Sequence, residues 1–315
     1  MEEITLELET VTPLFIAGAD QRNIENEGLR APSLRGLLRW WFRAIMGSMT
    51  SIDCLKILEN EIFGSTKISS PVKIKTTIEE ISSLKFIKEE CYMKYYRQCY
   101  APGSKFEVHI YSRDKTKLNI ALCSLWAAII LGGVGGRSRR GGGSLRVVKV
   151  NNNNTLDKSL PTFIIEGSNA KEVGNSISEN LSKVYDLFAN YCKLQNCFCP
   201  PKTKPNFCIL SKETASIHIL QHPRGPYRNY KDGLNYVFQK YGRFKYSRLL
   251  GGISPRKASP LLIGILKTNR GYFVKLVEFY TSVLRNENQS DLKNIFDQLN
   301  KELGKIEEVT IPEVR

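Results

Sequence analysis

Histidine is nearly absent from this 315-residue sequence, which has three, and the scarcity limits the chemistry available to it. Proton transfer to a reacting group is most often the work of histidine. His109 lies in an alternating, strand-like segment, where a packed or surface role is expected. His218 and His222 are four residues apart, but the second precedes Pro223, which argues against a helical metal pair. We predict that the protein is not an enzyme, with an endoribonuclease that uses His109 or His222 as the alternative.

The sequence also lacks closely spaced cysteine pairs of the C-x₂-C type, an export signal and long apolar runs. Eight cysteines are too sparse for a disulfide scaffold. The densest group, which lacks the C-x₂-C spacing of zinc ribbons, comprises Cys192, Cys197, Cys199 and Cys208. We predict isolated thiols or an adventitious disulfide, no metal and no cofactor, with zinc as the alternative. The longest apolar run, residues 120–134, is shorter than the ~18 residues of a spanning helix, and the start is polar. We expect a cytoplasmic protein that does not enter a membrane.

Acidic residues are too few to balance the basic ones. The sequence has 46 Lys and Arg against 31 Asp and Glu, which gives a net charge of +15 and a pI near 9.4. The excess is segregated, because residues 115–156 contain no acid and residues 221–275 contain one, Asp232, among twelve Lys and Arg. Segregated positive charge attracts polyanions, and nucleic acid is the first candidate.

Residues 132–145 are the most distinctive stretch. Seven of these fourteen residues are glycine, and three are arginine: Arg137, Arg139 and Arg140. Glycine permits unusual backbone angles and close approach of another chain, while arginine holds phosphate oxygens in pairs. No lysine lies between residues 118 and 148, which excludes a Walker loop, and the dinucleotide fingerprint fails at Ser138. We predict a loop that contacts a nucleic-acid backbone, against the alternative of a flexible, solvated linker.

A second arginine pattern falls on residues 33–46, where apolar side chains recur at helical spacing. Ser33 is predicted to cap the start of this helix and Gly47 its end. One charged stripe runs along it, formed by Arg35, Arg39 and Arg43. Because no acid lies between these like charges, we favour a negative ligand over a plain solvated face. Trp41 is expected in the core, and Trp40 is either core or available for stacking.

The hydrophobic periodicity predicts an α+β protein. Strands are expected at residues 4–11, 72–78, 106–111 and 144–150, and helices at 33–46 and 118–131. The order strand, helix, strand, strand, helix, strand is that of a ferredoxin-like fold, which RNA-recognition domains share. A polar tract at 151–154 favours two domains, residues 1–155 and 156–315.

A second, less regular copy of the fold is predicted for the C-terminal half. Strands at 163–166, 216–220, 261–266, 272–280 and 306–311 and helices at 173–191 and 292–303 fit it, with an insertion at about 193–250. Residues 224–257 interleave cations with aromatics, as single-strand binding surfaces do, although tyrosines packed beneath a solvated face are the alternative. Asp20 is predicted to be a turn residue rather than a metal ligand.

Several motifs in order resemble a known family. They are residues 12–20 (TPLFIAGAD), 30–44 (RAPSLRGLLRWWFRA), 62–65 (IFGS) with 70–72 (SPV), the loop at 132–145, and 254–261 (SPRKASPL). This sequence resembles the RAMP superfamily, and within it the first subunits of Cmr complexes, the type III-B CRISPR effectors. Ala17 stands where that family is expected to have glycine. The resemblance implies two ferredoxin-like domains with a glycine-rich loop, a place in an elongated ribonucleoprotein near the 3′ part of the guide RNA, and target cleavage by another subunit.

We therefore expect a non-catalytic RNA-binding subunit. Its expected partners are crRNA, single-stranded target RNA and other Cmr-complex subunits, including a neighbouring RAMP subunit; an assembly subunit without RNA affinity of its own is a further alternative. The predicted RNA-binding residues are Arg22, Arg30, Ser33, Arg35, Arg39, Arg43, Gly135, Gly136, Arg137, Ser138, Arg139, Arg140, Gly141, Arg256 and Lys257.

Overall fold

The structure is a computed structural model that describes residues 1–18, 24–25, 27–90, 93–152, 158–201, 207–242, 250, 258–281, 289–304 and 306–314. Its N-terminal elements are β1 (Glu2–Thr10), α1 (Ala31–Met46), α2 (Ile52–Phe63), β2 (Lys73–Glu80), β3 (Leu84–Glu90), β4 (Met93–Tyr100), β5 (Lys105–Ser112), α3 (Lys115–Ile130) and β6 (Leu145–Asn152). They are followed by α4 (Ala170–Leu194), β7 (Ala215–Leu220), α5 (Tyr230–Tyr241), β8 (Leu261–Lys267), β9 (Tyr272–Phe279), α6 (Gln289–Leu303) and β10 (Glu307–Glu308). None of these helices is long and apolar enough to cross a membrane.

The first sheet has the strand order β2-β5-β1-β6, with every pairing antiparallel. Alternation in β1 buries Ile4, Leu6 and Leu8 on one face, as the period of two requires. The helices α1 and α3 pack together, and α3 is buried from Leu118 to Ile130 because it is apolar on all sides. The β3–β4 hairpin is inserted between β2 and β5, so this sheet with α1 and α3 is a ferredoxin-like unit.

The second sheet has the order β10-β7-β9-β8, also antiparallel throughout. Taken along the chain, β7, α5, β8, β9, α6 and β10 repeat the strand and helix order of the first unit. The prediction of an α+β protein with two ferredoxin-like units is therefore confirmed. The helix α4 precedes the second unit and packs against α3 and β7.

The C-terminal half differs from the expected element list. Residues 163–166 form no strand, because the chain bends at residues 163–164 and pairs with no strand there. The alternation in sequence comes from burial of Phe163 and Ile165 in the core. The helix α5 lies inside the segment predicted as an insertion, and β10 is only two residues long. Two further elements, α2 and the β3–β4 hairpin, were not expected. The domain border near residue 155 stays a prediction.

Buried charges connect the two units. Arg146 of β6 binds both carboxylate oxygens of Glu9, at 3.2 and 2.8 Å, and Lys267 of β8 reaches the same carboxylate at 3.0 Å. Burial alone would raise the pKa of Glu9, but the hydrogen bonds and charges of Arg146 and Lys267 outweigh it and lower the pKa. Lys275 of β9 is buried and donates to the carbonyls of Ile129 and Ile130, at 2.9 and 2.7 Å, at the end of α3. The second sheet is thus bonded to the first unit through side chains as well as through its core.

Candidate nucleic-acid interface

The glycine-arginine loop, residues 132–145, is fixed by backbone hydrogen bonds. Val134 N donates to the Gly143 carbonyl at 2.9 Å, and Gly136 N donates to the Phe15 carbonyl at 2.7 Å. Gly135 and Gly143 have φ angles of +79° and +63°, and a side chain at either would collide with backbone atoms. These glycines therefore allow two backbone segments to pass in close contact. The loop is held in one conformation, and the alternative of a flexible linker is wrong.

The same loop docks on the second sheet. Gly141 N donates to the Ile263 carbonyl at 2.9 Å, and Ile263 N donates to the Arg139 carbonyl at 3.3 Å. Just beyond, the Ser144 hydroxyl accepts from Ile265 N at 3.0 Å. Because β8 is an outer strand of its sheet, these bonds cover an edge that would otherwise present unpaired backbone groups.

The three loop arginines have different environments. Arg139 donates to the Ser259 carbonyl, and its guanidinium lies 5.4 Å from the centre of the Trp40 ring. Arg140 donates to the Leu250 carbonyl at 3.3 Å and lies 4.5 Å from the centre of the Tyr241 ring. Arg137, with φ of +60°, is the exposed one of the three. Two of the arginines predicted to hold phosphates therefore also bind the second unit.

A pocket of about 480 Å³ opens between this loop and the first half of α1. Its volume falls within the range of ligand sites, about 300–1,000 Å³. It brings together six of the predicted RNA-binding residues, namely Arg30, Ser33, Gly135, Gly136, Ser138 and Arg139. The remaining walls are mostly apolar, with Phe15, Leu37 and Trp40 among them.

The pocket is electropositive. No Asp, Glu or His is found among the described residues that line it, and α1 begins at its rim without an acid in its first turn. The start of a helix carries partial positive charge and free amides, which favour an anion. Arg30 adds a cation, although Glu27 pairs with it at 3.7 Å. Positive charge around an aromatic floor suits phosphate and base together.

The two neighbouring tryptophans of α1 have different environments. Trp41 lies in the core as predicted, while Trp40 is half-buried, lines the pocket and packs edge-on against Phe279 at 5.7 Å.

The prediction that Ser33 caps α1 is wrong. Arg30 holds the cap position without a side-chain hydrogen bond, because Pro32 suits the first helical turn and starts the helix earlier. Gly47 ends the helix as expected.

The arginine stripe on α1 has an internal partner that the sequence reasoning missed. Glu59 of α2 is buried, and it accepts from Arg39 at 2.6 Å and from Arg43 at 3.1 Å. Arg39 also donates to the Gly64 carbonyl at 2.9 Å, and Arg35 donates to the Val72 carbonyl at 3.5 Å. The missing acid comes from the neighbouring helix, so the like charges do not by themselves require a negative ligand. None of the three arginines lines the pocket.

Other predicted positions are elsewhere or outside the described chain. Arg22, Arg256, Lys257 and Asp20 lie outside the described residues, as do residues 243–249 of the second basic region. In the described part of that region, Tyr227 and Tyr241 are buried, and Tyr236 donates to the Leu303 carbonyl at 2.8 Å. These tyrosines pack beneath the surface, which is the alternative stated for them.

The histidines are away from the pocket. His109 lies between Thr5 at 3.0 Å and Glu3 at 3.1 Å, and it also contacts Glu107 at 3.3 Å. His222 is exposed in the turn after β7, and His218 is buried beside Ser216 at 3.0 Å. Within the described ranges, no group of three or more His, Cys, Asp or Glu side chains could hold a metal ion.

Comparisons with known sequences agree on one family. A family model described as "RAMP superfamily" matches residues 7–146. The CRISPR system Cmr subunit Cmr1-1 of Pyrococcus furiosus is 29% identical, over 92% of this chain and 90% of that protein. The CRISPR system Cmr subunit Cmr1-2 of the same organism is 32% identical, over 47% of this chain and 96% of that protein.

Solved structures extend the likeness to both units. The crystal structure of apo Cmr1 from Pyrococcus furiosus matches with a TM-score of 0.71 and 26% identity, covering 98% of this chain and 99% of that one. A chain of the cryo-EM structure of Type III-B Cmr-beta bound to cognate target RNA matches with a TM-score of 0.63 at 14% identity, covering 96% and 99%. The second match concerns the fold alone.

Proposed function

The chain belongs to the RAMP superfamily, and from this premise we propose that it is a non-catalytic, RNA-binding subunit of a type III-B Cmr effector complex. Its partners are crRNA, single-stranded target RNA and other Cmr subunits. The relatives named as Cmr subunits and the RNA-bound complex that shares the fold support this assignment. The observation that carries it is the pocket between α1 and the loop, with its cationic rim and aromatic floor.

RNA retention at this pocket is electrostatic and steric. Arg30, Arg139 and the first amides of α1 attract phosphate, while Trp40 and the apolar wall contact a base. Exposed Arg137 extends the positive surface beyond the rim. Among the described residues that line the pocket, none is an acid or a histidine that could accept a proton from an attacking ribose hydroxyl, which supports positioning rather than cleavage.

Gly36 offers a direct test of the pocket. It is exposed on α1, lines the pocket, and an added Cβ would meet no atom within 4 Å. Gly36→Leu should therefore fill the pocket without disturbing the helix. We expect labelled single-stranded RNA to bind this variant about tenfold more weakly in fluorescence anisotropy, as the loss of one stacked base would predict. The slope of binding against salt should stay unchanged, because no cation is lost.

Arg137→Gln tests the charge separately. Loss of one phosphate contact should lower the slope of log affinity against log salt by about 0.7. The control is Lys56→Gln on α2, an exposed cation that does not line the pocket and should leave both affinity and slope unchanged. The endpoint mixtures are run on a denaturing gel. RNA fragments would support the endoribonuclease, and absence of binding by the unmodified protein would support a pure assembly subunit.

A further inference from the structure

Two cysteines far apart in the sequence meet where α2 contacts the segment after α4. Cys54 lies in the first turn of α2, and Cys197 follows the end of α4 at Leu194. Their thiols lie close enough to interact, and the Thr50 side chain contacts both residues. Both side chains are partly exposed, in contrast to the buried Cys123 and Cys192. Neither thiol lines the pocket described above, so the pair is a separate feature of the molecule.

Backbone contacts on both sides hold this thiol pair in place. Cys199 N donates to the Met49 carbonyl at 3.0 Å, and the Thr50 hydroxyl donates to the Cys197 carbonyl. Cys197 N in turn donates to the Cys192 carbonyl at 3.0 Å, which ties the segment to the last turn of α4. The proximity of the two sulfurs is thus imposed by the fold and does not depend on the thiols themselves.

The pKa values of the two thiols are shifted in opposite directions. The hydrogen bonds from Cys197 and from the Ser51 hydroxyl lower the pKa of Cys54, whose place at a helix start also favours the thiolate. Burial and the hydrogen bond to Cys54 raise the pKa of Cys197 to about 11. The position of Cys54 in the first turn of α2 favours its thiolate, so we expect Cys54 to be the nucleophile of the pair.

We propose that Cys54 and Cys197 form a site of reversible oxidation, with a peroxide as the oxidant. The Cys54 thiolate attacks one oxygen of hydrogen peroxide, the O–O bond breaks, and the departing hydroxide takes a proton to become water. The sulfur of Cys197 then attacks the sulfur of the Cys54 sulfenic acid, so that an S–S bond forms and the S–O bond breaks. The released hydroxide takes the Cys197 proton and leaves as a second water, and the product is a Cys54–Cys197 disulfide. Two thiols thus give up two electrons and two protons, and one peroxide becomes two waters.

The first test maps the product. The full-length protein is titrated with hydrogen peroxide, quenched with N-ethylmaleimide, digested without reductant and analysed by mass spectrometry. We expect a dithiothreitol-sensitive cross-link between the peptides that contain Cys54 and Cys197. Cys197→Ser should abolish this cross-link and leave a Cys54 sulfenic acid that dimedone traps, whereas Cys199→Ser, the matched control, should keep it. A cross-link from Cys54 to Cys192 or Cys199, or a Cys54 that stays reduced while Cys199 oxidises, overturns the proposal.

The second test measures reactivity in the reduced protein. Cys199 is the more exposed thiol, so alkylation governed by exposure would modify it before Cys54. We expect iodoacetamide at neutral pH to modify Cys54 at least about threefold faster, because the thiolate is the reactive form. Cys197→Ala should slow this reaction, while Cys197→Ser should preserve most of it, since a hydroxyl still donates to the thiolate. Rates that follow exposure alone, unaffected by either variant, would argue against the assigned nucleophile.

Discussion

At the scale of single residues, Gly143 of the loop and Gly36 of α1 show two different reasons for a glycine. Gly143 has positive φ, and its absent Cβ would lie 1.8 Å from the Val134 carbonyl oxygen. Gly36 faces open space instead. The sequence predicted that residues 132–145 form a loop that contacts nucleic acid. It could not distinguish a glycine required by the backbone conformation from a glycine that leaves room for a ligand. That distinction depends on which atoms lie opposite, which the three-dimensional fold determines.

We predict that Gly143→Ala destabilises the protein by at least about 2 kcal/mol, because strain and steric overlap act together. Gly36→Ala is the matched control, and we expect it to gain up to about 1 kcal/mol of helix stability. Urea denaturation followed by circular dichroism measures both. Equal stability of the two variants would show that close contact between the two backbone segments is not the reason for this glycine.

The arginine stripe shows a second limit of reasoning at the residue scale. The spacing correctly places three arginines on one face of α1. The carboxylate that pairs with two of them belongs to Glu59 of α2, a helix that was not predicted. The signals for α2 were present: Ser51 caps it, Leu55, Leu58 and Ile62 recur at helical spacing, and Gly64 ends it. Charge balance can be judged only once the packed elements are known.

At the scale of elements, the contact of α1 with α2 depends on one buried carboxylate. We predict that Glu59→Gln lowers the free energy of unfolding by about 1–3 kcal/mol, because Arg39 and Arg43 then face a neutral amide. The exposed Asp53→Asn change on the same helix should stay within about 0.5 kcal/mol. Denaturant midpoints of the two variants test this, and a Glu59 variant as stable as the Asp53 variant would contradict it.

The elements of the first unit were predicted better than those of the second. Strong alternation in β1 and β5 and the long apolar stretch of α3 leave little ambiguity. In the second unit, the helix position between β7 and β8 is filled by α5, whose polar, tyrosine-rich sequence suggested a binding insertion. Its tyrosines pack against the second core, Tyr241 fully buried and Tyr230 and Tyr236 partly buried, so composition alone gave the wrong environment.

At the scale of the whole molecule, Lys275 joins the second sheet to the end of α3. Burial lowers its pKa to about 7. Between pH 7 and 10.5 the unfolded chain therefore holds a proton that the folded protein has released, and the free energy of unfolding rises with pH across that window. Below about pH 7 both states are protonated and the contribution is constant.

We predict that the stability of the unmodified protein, relative to Lys275→Met, increases between pH 6.5 and 9 by at most about 1.4 kcal/mol per pH unit. Subtracting the variant cancels every other group that titrates. The measurement is urea denaturation of both proteins at matched pH values. A difference that stays flat over this range would show that Lys275 keeps its proton in the folded protein.

The docking of the loop on β8 also bears on the order in which segments of the chain are synthesised and fold during translation. A sheet edge left bare invites pairing with other nascent chains. Here the segment that covers the edge is synthesised before the strand it covers, within a unit that leaves the ribosome first. When β8 emerges, the segment that covers its edge has already been synthesised, so the edge is covered from within the same chain and need not wait for any later segment.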